Sequence, residues 1–435
     1  NHAVLEFGNM ENEGGDSVPL SKSSSGAVLT SGDRRVRRDA WIGLFTQYER
    51  LGNTLASNYE GHVKGRVFDA RARGFDSALH AATYKSAIPI EVYQNLLAAV
   101  RDGVEPLQKY LQLRKQRLGV EQREIWDLYA PMIEPAFSDI SFEDAKTMVA
   151  AALEPLGEGY LSIYRFGYED GWVDAFENQG KRGGAYSWGT YASKPYLSMN
   201  FQGTLGDVST LAHEYGHSIH SYLTRQSQPQ VYGYYETFIA EIAAMTNEAL
   251  LFQMILRGEQ SPMRRVSLLQ NYLDGFRGSF YRQASFADFE MQAHAAVEAG
   301  EALTRESAND LYAQVFQDYY GDSVNAHPLN ASEWSRIPHF MRTDNFYVYQ
   351  YATSFVAATA LAKAILDEGE PARDRFLTML RSGSSDYAIE LLKDAGVDMT
   401  TPAPVYATIE VFAELVDELD QALRDLEANN GTGAP

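Results

Sequence analysis

Two histidines one helical turn apart constrain this chain more than any other feature of its sequence. His213, Glu214 and His217 form an H-E-x-x-H pattern within the segment LAHEYGHSIHS. Positions i and i+4 of a helix lie on one face, so the two histidines can bind a single metal ion. Glu214 follows the first histidine and is placed to accept a proton from a water molecule on that metal. The pattern therefore predicts a helix that carries a catalytic metal site.

The residues around the motif favour a helix. Thr204 and Asp207 offer side chains that cap a helix N-terminus. Apolar residues follow at helical spacing, on a different stripe from the histidines. They are Val208, Leu211, Ala212, Tyr215 and Ile219. His220 lies one turn beyond His217, and a fourth protein ligand would exclude water from the metal. We therefore interpret His220 as a residue that packs beside the site or bonds to its ligands.

A catalytic zinc ion usually has three protein ligands and keeps a fourth position for water. Residues 236–256 are predicted to form a second long helix, ended by Gly258, which carries Glu236, Glu241 and Glu248. Small residues flank Glu241 and allow two helices to approach closely, so Glu241 is the predicted third ligand. Glu248 lies two turns further on the same face, where it can accept a hydrogen bond from a ligand histidine. Glu236 or Glu248 is the alternative third ligand.

The segments HEYGHSIHS and FIAEIAAMTNE resemble the thimet oligopeptidase family of zinc metallopeptidases, in particular its oligoendopeptidase F branch. The resemblance covers most of residues 30–400 and includes KRGGAYSWGTYASKPYLSMNFQGTLGDVSTLAHEYGH, FRGSFYRQASFADFE and RIPHFMRTDNFYVYQYATS. It implies that His213, His217 and Glu241 bind one Zn²⁺ per chain and that Glu214 is the general base. It further implies a zinc-dependent metalloendopeptidase that hydrolyses short oligopeptides through a zinc-bound water.

The predicted fold is mainly α, with a small β element beside the zinc site. The resemblance implies two helical lobes around a deep channel that limits substrate size. We assign residues 1–123 to a remnant of an N-terminal helical lobe and channel wall, and residues 124–435 to the catalytic metallopeptidase domain. Family members usually carry a larger N-terminal lobe, so we expect part of that lobe to be missing from this chain.

Residues 180–203 differ from the helical sequence around them. Glycine is frequent, and Leu197, Met199 and Phe201 alternate with period two, which indicates strand and turn. The edge of a strand beside a zinc site can pair with an extended peptide through backbone groups. The candidates for contact with the substrate backbone are Gly183, Gly184, Ala185 and Tyr186. A small structural hairpin packed on the helices is the alternative interpretation.

A second cluster of chemically useful side chains lies within residues 333–355. His339 is predicted in a loop, and Tyr347 and Tyr349 stand at the start of the next helix. Peptide hydrolysis places negative charge on the carbonyl oxygen, to which a histidine N–H or a tyrosine hydroxyl can donate. The resemblance implies this role for His339 and Tyr349, and Tyr347 matches less closely. Met341 departs from the family, whose members often have an aromatic residue there.

The composition excludes several classes of function. Acidic residues number 58 against 37 basic residues, and the formal net charge of −21 argues against nucleic-acid binding and anchoring to anionic membranes. The absence of cysteine excludes disulfides and thiolate metal sites. We expect a cytoplasmic protein, a monomer or small homo-oligomer, whose partners are oligopeptide substrates. The alternatives to an endopeptidase are a catalytically impaired peptide-binding homologue and a zinc exopeptidase.

Overall fold

Helices make up most of the protein in the computed structural model, which describes residues 5, 7–21, 24–134, 136–342 and 345–431. The helices are α1 (Ser25–Leu29), α2 (Arg34–Arg50), α3 (Gly52–Ala72), α4 (Ala78–Tyr84), α5 (Ile90–Asp102), α6 (Glu105–Leu118), α7 (Phe142–Ala152), α8 (Gly157–Glu169), α9 (Leu205–Ser227), α10 (Thr237–Ala240), α11 (Ile242–Gly258), α12 (Pro262–Phe276), α13 (Arg282–Glu298), α14 (Arg305–Tyr320), α15 (His339–Arg342), α16 (Tyr349–Glu368), α17 (Glu370–Ser382), α18 (Ala388–Asp394) and α19 (Ala403–Gly431). The strands are β1 (Asn9–Glu11), β2 (Ser17–Pro19), β3 (Val173–Asp174), β4 (Tyr186–Trp188) and β5 (Tyr196–Ser198). The predicted mainly α fold with a small β element is confirmed.

The chain forms two compact units that alternate along the sequence. The first unit comprises Asn1–Lys85, Val100–Glu134 and Tyr281–Tyr349, and the second comprises Ser86–Ala99, Pro135–Phe280 and Gln350–Pro435. The domain division at residues 123 and 124, the two lobes and the channel stay predictions.

The first unit is organised around a cluster of aromatic rings. α3 packs against α13 and α14, and the 3-10 turns of Pro328–Arg336 pack against α2 and α14. The rings that meet in this core are Tyr59, Phe289, Trp334 and Phe340. β1 and β2 form a short antiparallel hairpin in the same unit. The core therefore supports α15, which carries Phe340, from the side of α13.

In the second unit α9 packs against α11 and α17. Thr204 and Asp207 form the predicted cap of α9, in which each side chain bonds to the backbone N–H of the other residue. α9 and α11 cross closely because Gly216 faces Ala244. A Cβ added at Gly216 would lie 2.5 Å from the Ala244 Cα. Small residues thus allow the close approach that was expected around Glu241.

The helix predicted over residues 236–256 is interrupted at Glu241. The prediction of a single helix is wrong there, because Glu241 has φ −85° and ψ −12° and stands between α10 and α11. Its carbonyl accepts the N–H of Met245, so α11 begins at this residue. Thr237–Gly258 is, among the described helices, the one segment long and apolar enough to cross a bilayer. Its most apolar window is 61% buried, as expected for a helix packed in a protein core.

The small sheet of the second unit lies against α9. β5 is the central strand, parallel to β3 and antiparallel to β4, which leaves β4 at an edge. Leu197 on β5 is buried, and the hydroxyl groups of Ser187 and Ser218 are 2.8 Å apart, which ties β4 to α9. Tyr186 and Trp188 on β4 are exposed. The strand and turn predicted in residues 180–203 are present, with an edge strand beside the helix of the metal motif.

Candidate metal centre

Three side chains from α9 and from the start of α11 converge on one point. His213 Nε2 and His217 Nε2 are 3.1 Å apart, and Glu241 Oε2 is 3.4 Å from each of them. A tetrahedral zinc ion with bonds of about 2.1 Å separates its ligand atoms by about 3.4 Å. The three atoms therefore have the spacing of three corners of such a tetrahedron, and the protein supplies no fourth ligand among the described residues.

The charges of this cluster favour a bound cation. Burial on its own would lower the pKa of His213, but the carboxylates of Glu241 and Glu248 reverse this effect and raise that pKa to about 10. Burial would also raise the pKa of Glu241, whereas its hydrogen bonds with the two histidines hold it well below its ordinary value. The carboxylates thus attract positive charge to the imidazole nitrogens. Two imidazoles and one carboxylate form a ligand set that suits zinc.

Glu248 supports the first histidine from the side opposite the cluster. Its Oε2 lies 3.3 Å from His213 Nδ1, and its Oε1 accepts a hydrogen bond from the Ser209 hydroxyl at 3.1 Å. A carboxylate in this position fixes the tautomer and the orientation of a ligand imidazole. The predicted contact of Glu248 with one of the two motif histidines is present. Glu236, the other alternative ligand, is exposed and accepts a hydrogen bond from Ser86.

Glu214 is a buried neighbour of the cluster. Its side chain lines the same cleft as the two histidines. The carboxylate Oε2 has no hydrogen-bond partner among the described residues, and burial raises the pKa of the group. An unpaired, buried carboxylate oxygen costs free energy unless water or a ligand reaches it. Its position beside the ligand atoms is the one expected of a group that bonds to a water molecule there.

A cleft of about 500 Å³ lies over the cluster and is bordered by β4. Of the residues predicted to contact a substrate backbone, Ala185 and Tyr186 line this cleft. Gly183 and Gly184 are not among its described lining residues. Trp188 also lines it, and the sequence analysis did not select this residue. The sequence could have indicated Trp188, because it lies two residues from Tyr186 in a strand and such residues share a face.

His220 packs beside the site and is not a ligand. Its ring is buried and stacks on the ring of Tyr235, with 3.7 Å between centroids and 6° between planes. Burial lowers the pKa of His220 to about 3, so the ring is neutral. The Tyr235 hydroxyl lies 2.9 Å from that of Ser221. This agrees with the interpretation of His220 as a packing residue, while no sequence signal pointed to Tyr235.

The second predicted cluster belongs to the first unit. His339 begins α15 and therefore lies in a short helix, not in the predicted loop. Its ring stacks on that of Tyr347, with 5.3 Å between centroids and 9° between planes. Tyr349 starts α16 and is 2% exposed. The structure thus brings His339 together with Tyr347, and the catalytic roles of His339, Tyr347 and Tyr349 stay predictions.

Comparisons with known proteins place these features in a family. Residues 27–411 match the family model described as peptidase family M3. The chain is 42% identical over 423 residues to oligopeptidase PepF of Bacillus subtilis, covering 97% of this chain and 63% of that protein. It is 37% identical over 420 residues to the plasmid oligoendopeptidase F of Lactococcus lactis subsp. cremoris, covering 97% of this chain and 69% of that protein. The crystal structure of oligoendopeptidase-F from Enterococcus faecium superposes with a TM-score of 0.80 at 37% sequence identity. The match covers 97% of this chain and 70% of that one.

The chain spans less than two thirds of the length of the Bacillus relative. The family model nevertheless includes the metal motif on α9, the interrupted helix with Glu241 and the segment with His339. The resemblance inferred from the H-E-x-x-H segment is confirmed, and the chain belongs to peptidase family M3.

Proposed function

We propose that this chain is the catalytic part of a zinc-dependent endopeptidase that hydrolyses short oligopeptides. The observation that carries the proposal is the convergence of His213, His217 and Glu241, with ligand atoms 3.1 to 3.4 Å apart. The unpaired carboxylate oxygen of Glu214 beside them supports it. The names of the relatives, oligopeptidase and oligoendopeptidase, support the class of substrate. Location in the cytoplasm and the oligomeric state stay predictions.

Each residue of the cluster has a separate task in this reaction. A zinc ion, when bound, supplies a Lewis acid that polarises the scissile carbonyl and makes a water molecule acidic near neutral pH. His213, His217 and Glu241 would hold it, and Glu248 would fix the ring of His213. Glu214 accepts the proton of the attacking water and then donates it to the leaving amine. The raised pKa of Glu214 suits a group that must take up a proton and release it.

The negative charge that develops on the carbonyl oxygen requires hydrogen-bond donors. We assign this role to His339 and Tyr347, because their stacked rings place an imidazole and a phenol side by side. Tyr349 is the second candidate for the hydroxyl donor, and its burial argues for a packing role. The comparison of Tyr347→Phe with Tyr349→Phe separates the two, since each substitution removes one hydroxyl and keeps the ring.

We assign substrate backbone binding to the edge strand β4. An extended peptide can add to an edge strand through main-chain hydrogen bonds, which do not depend on the substrate sequence. Ala185 and Tyr186 line the cleft, and Gly184 has φ +90°, which a residue with a side chain rarely adopts. We therefore expect the site to tolerate many different substrate side chains.

The substitution Glu214→Gln tests the proposed function. The variant should keep about one zinc per chain by elemental analysis and lose cleavage of quenched peptides by about 100- to 10,000-fold, because the base is gone. Glu236→Gln is the matched control, since that carboxylate is exposed and outside the cluster. Full activity of Glu214→Gln contradicts the mechanism. If the unmodified protein binds zinc but shows no peptide cleavage that a chelator abolishes, the peptide-binding alternative is indicated. If the products are released only from the ends of the substrate peptides, the protein is an exopeptidase.

A further inference from the structure

The helix α13 carries a buried carboxyl group that contacts the segment bearing His339 and Tyr347. Glu290 is 2% exposed, and its Oε1 accepts the backbone N–H of Phe346 at 2.6 Å. Phe346 directly precedes Tyr347 in the chain. We propose that Glu290 is a positioning residue, whose bond to Phe346 holds the Tyr347 ring against His339, and this rests on the function proposed above for that pair.

The backbone at Phe346 needs such a contact. Its φ is +57°, in the left-handed region that bulky residues rarely adopt. A conformation of this kind persists where the surroundings hold it in place. α13 supplies two contacts, the hydrogen bond from Phe346 to Glu290 and the ring of His294, whose centroid is 4.4 Å from that of Phe346. The Nδ1 of His294 donates to the Glu290 carbonyl at 2.8 Å, so the two contacting residues are themselves joined.

The other member of the pair is attached to the same helix by a different contact. Phe340, the neighbour of His339, packs its ring 5.5 Å from that of Phe289. Consecutive residues of α13 therefore contact the chain neighbours of the pair. Phe289 contacts Phe340, next to His339, and Glu290 contacts Phe346, next to Tyr347. Loss of the Glu290 side chain should release Tyr347 and leave His339 attached. This difference makes the role of Glu290 measurable through Tyr347.

A neutral acid fits this role. Burial raises the pKa of Glu290 to about 8, so the carboxyl group is protonated near neutral pH. A neutral group can accept a backbone hydrogen bond in the core without the cost of burying a charge. Glutamine has nearly the same shape, is neutral and retains the accepting oxygen. Glu290→Gln is therefore the conservative variant that should retain the contact.

A double-mutant cycle distinguishes positioning from a general loss of stability. Glu290→Ala should lower kcat on a quenched peptide by up to about 100-fold through misplacement of Tyr347, with KM and zinc content nearly unchanged. In a Tyr347→Phe background the Glu290→Ala change should lower kcat by less than about twofold, because the hydroxyl that it misplaces is already absent. Glu290→Gln should rescue kcat. The matched control is Asp288→Asn, a buried acid of α13 that bonds to Arg101 and Tyr319, whose effect should multiply with Tyr347→Phe.

Hydrogen exchange provides a readout that does not depend on turnover. Glu290→Ala should speed amide exchange in residues 345–349 by about tenfold, since a buried hydrogen bond is lost, and Glu290→Gln should not. Glu290→Met, which fills the same space without an acceptor, replaces the alanine variant if that variant does not fold. Unchanged exchange, or full multiplication of the Glu290→Ala and Tyr347→Phe effects, overturns the positioning role. If the unmodified protein cleaves no peptide, the proposed function is contradicted instead. The hydrogen-exchange result then still decides whether Glu290 positions the segment with Tyr347.

Discussion

Replacing Glu290 by glutamine should change how the stability of this protein depends on pH. Burial raises the pKa of Glu290 from its ordinary 4.5 to about 8 in the folded protein. Between these values the folded state holds a proton that the unfolded state has released. Folding stability from this group is therefore fully present below about pH 4.5 and is lost as pH rises through about 8. Glutamine does not titrate, so the variant should lack this dependence.

The size of the effect follows from the difference between the two pKa values. That difference is about 3.5, and each pKa unit corresponds to about 1.36 kcal/mol, which gives an upper value of about 5 kcal/mol. Between about pH 5 and pH 7.5 the free energy of unfolding of the unmodified protein should fall by about 1.36 kcal/mol per pH unit relative to Glu290→Gln. The variant keeps the acceptor for the Phe346 N–H, so its advantage should be largest near pH 8 and smallest near pH 4.5.

Urea unfolding followed by tryptophan fluorescence measures this difference. Trp334 is a suitable reporter, because it is buried and its ring lies 6.0 Å from that of Phe289, the neighbour of Glu290. His294 contributes in the opposite sense, since burial lowers its pKa to about 4 and stability from this group falls as pH drops below about 6.5. That contribution is common to both proteins and cancels in the comparison. Parallel stability curves between pH 5 and pH 8 would refute a protonated Glu290 in the folded core.

Two further substitutions test the metal centre and the helix crossing beneath it. Glu248→Ala should weaken zinc binding by about 10- to 100-fold in a chelator competition, because the ring of His213 loses its orienting carboxylate, and unchanged affinity contradicts that contact. Gly216→Ala should lower the free energy of unfolding by about 1 to 3 kcal/mol, since the new methyl group meets Ala244. Gly206→Ala is the control in the same helix, where the position is exposed and alanine should stabilise by up to about 1 kcal/mol. Equal melting temperatures for the two alanine variants would show that the crossing tolerates the added atom.

The sequence was sufficient to find the three side chains that converge, because helix geometry places two of them on one face. His213 and His217 share a face for any regular helix, and small residues beside Glu241 indicated which acid could come close. The break at Glu241 was not predictable, since the apolar periodicity continues through residues 236–256 without a glycine or proline. The interruption coincides with a tertiary contact, since the Glu241 carboxylate lies 3.4 Å from two imidazoles of the neighbouring helix.

Contacts that join distant parts of the chain were harder to predict. A glutamate such as Glu290 in a helix looks the same in sequence whether it faces water or the core. The left-handed backbone at Phe346 carries no signal either, because glycine and asparagine are the residues that mark this conformation. Tyr347, whose ring stacks on that of His339, directly follows this residue, whereas the preference for Tyr349 came from the family resemblance.

The cluster of His213, His217 and Glu241 and the pair of His339 and Tyr347 differ in what holds their side chains. The ligand spacing near His213 and Glu241 results from a backbone crossing, in which Gly216 allows α9 and α11 to approach, and many packed atoms would have to move to change it. We propose instead that the position of the Tyr347 ring depends on the hydrogen bond from Phe346 to Glu290, at a residue with a left-handed backbone. Substitution at the crossing should therefore alter zinc affinity together with stability, whereas substitution of Glu290 should lower kcat while the metal stays bound.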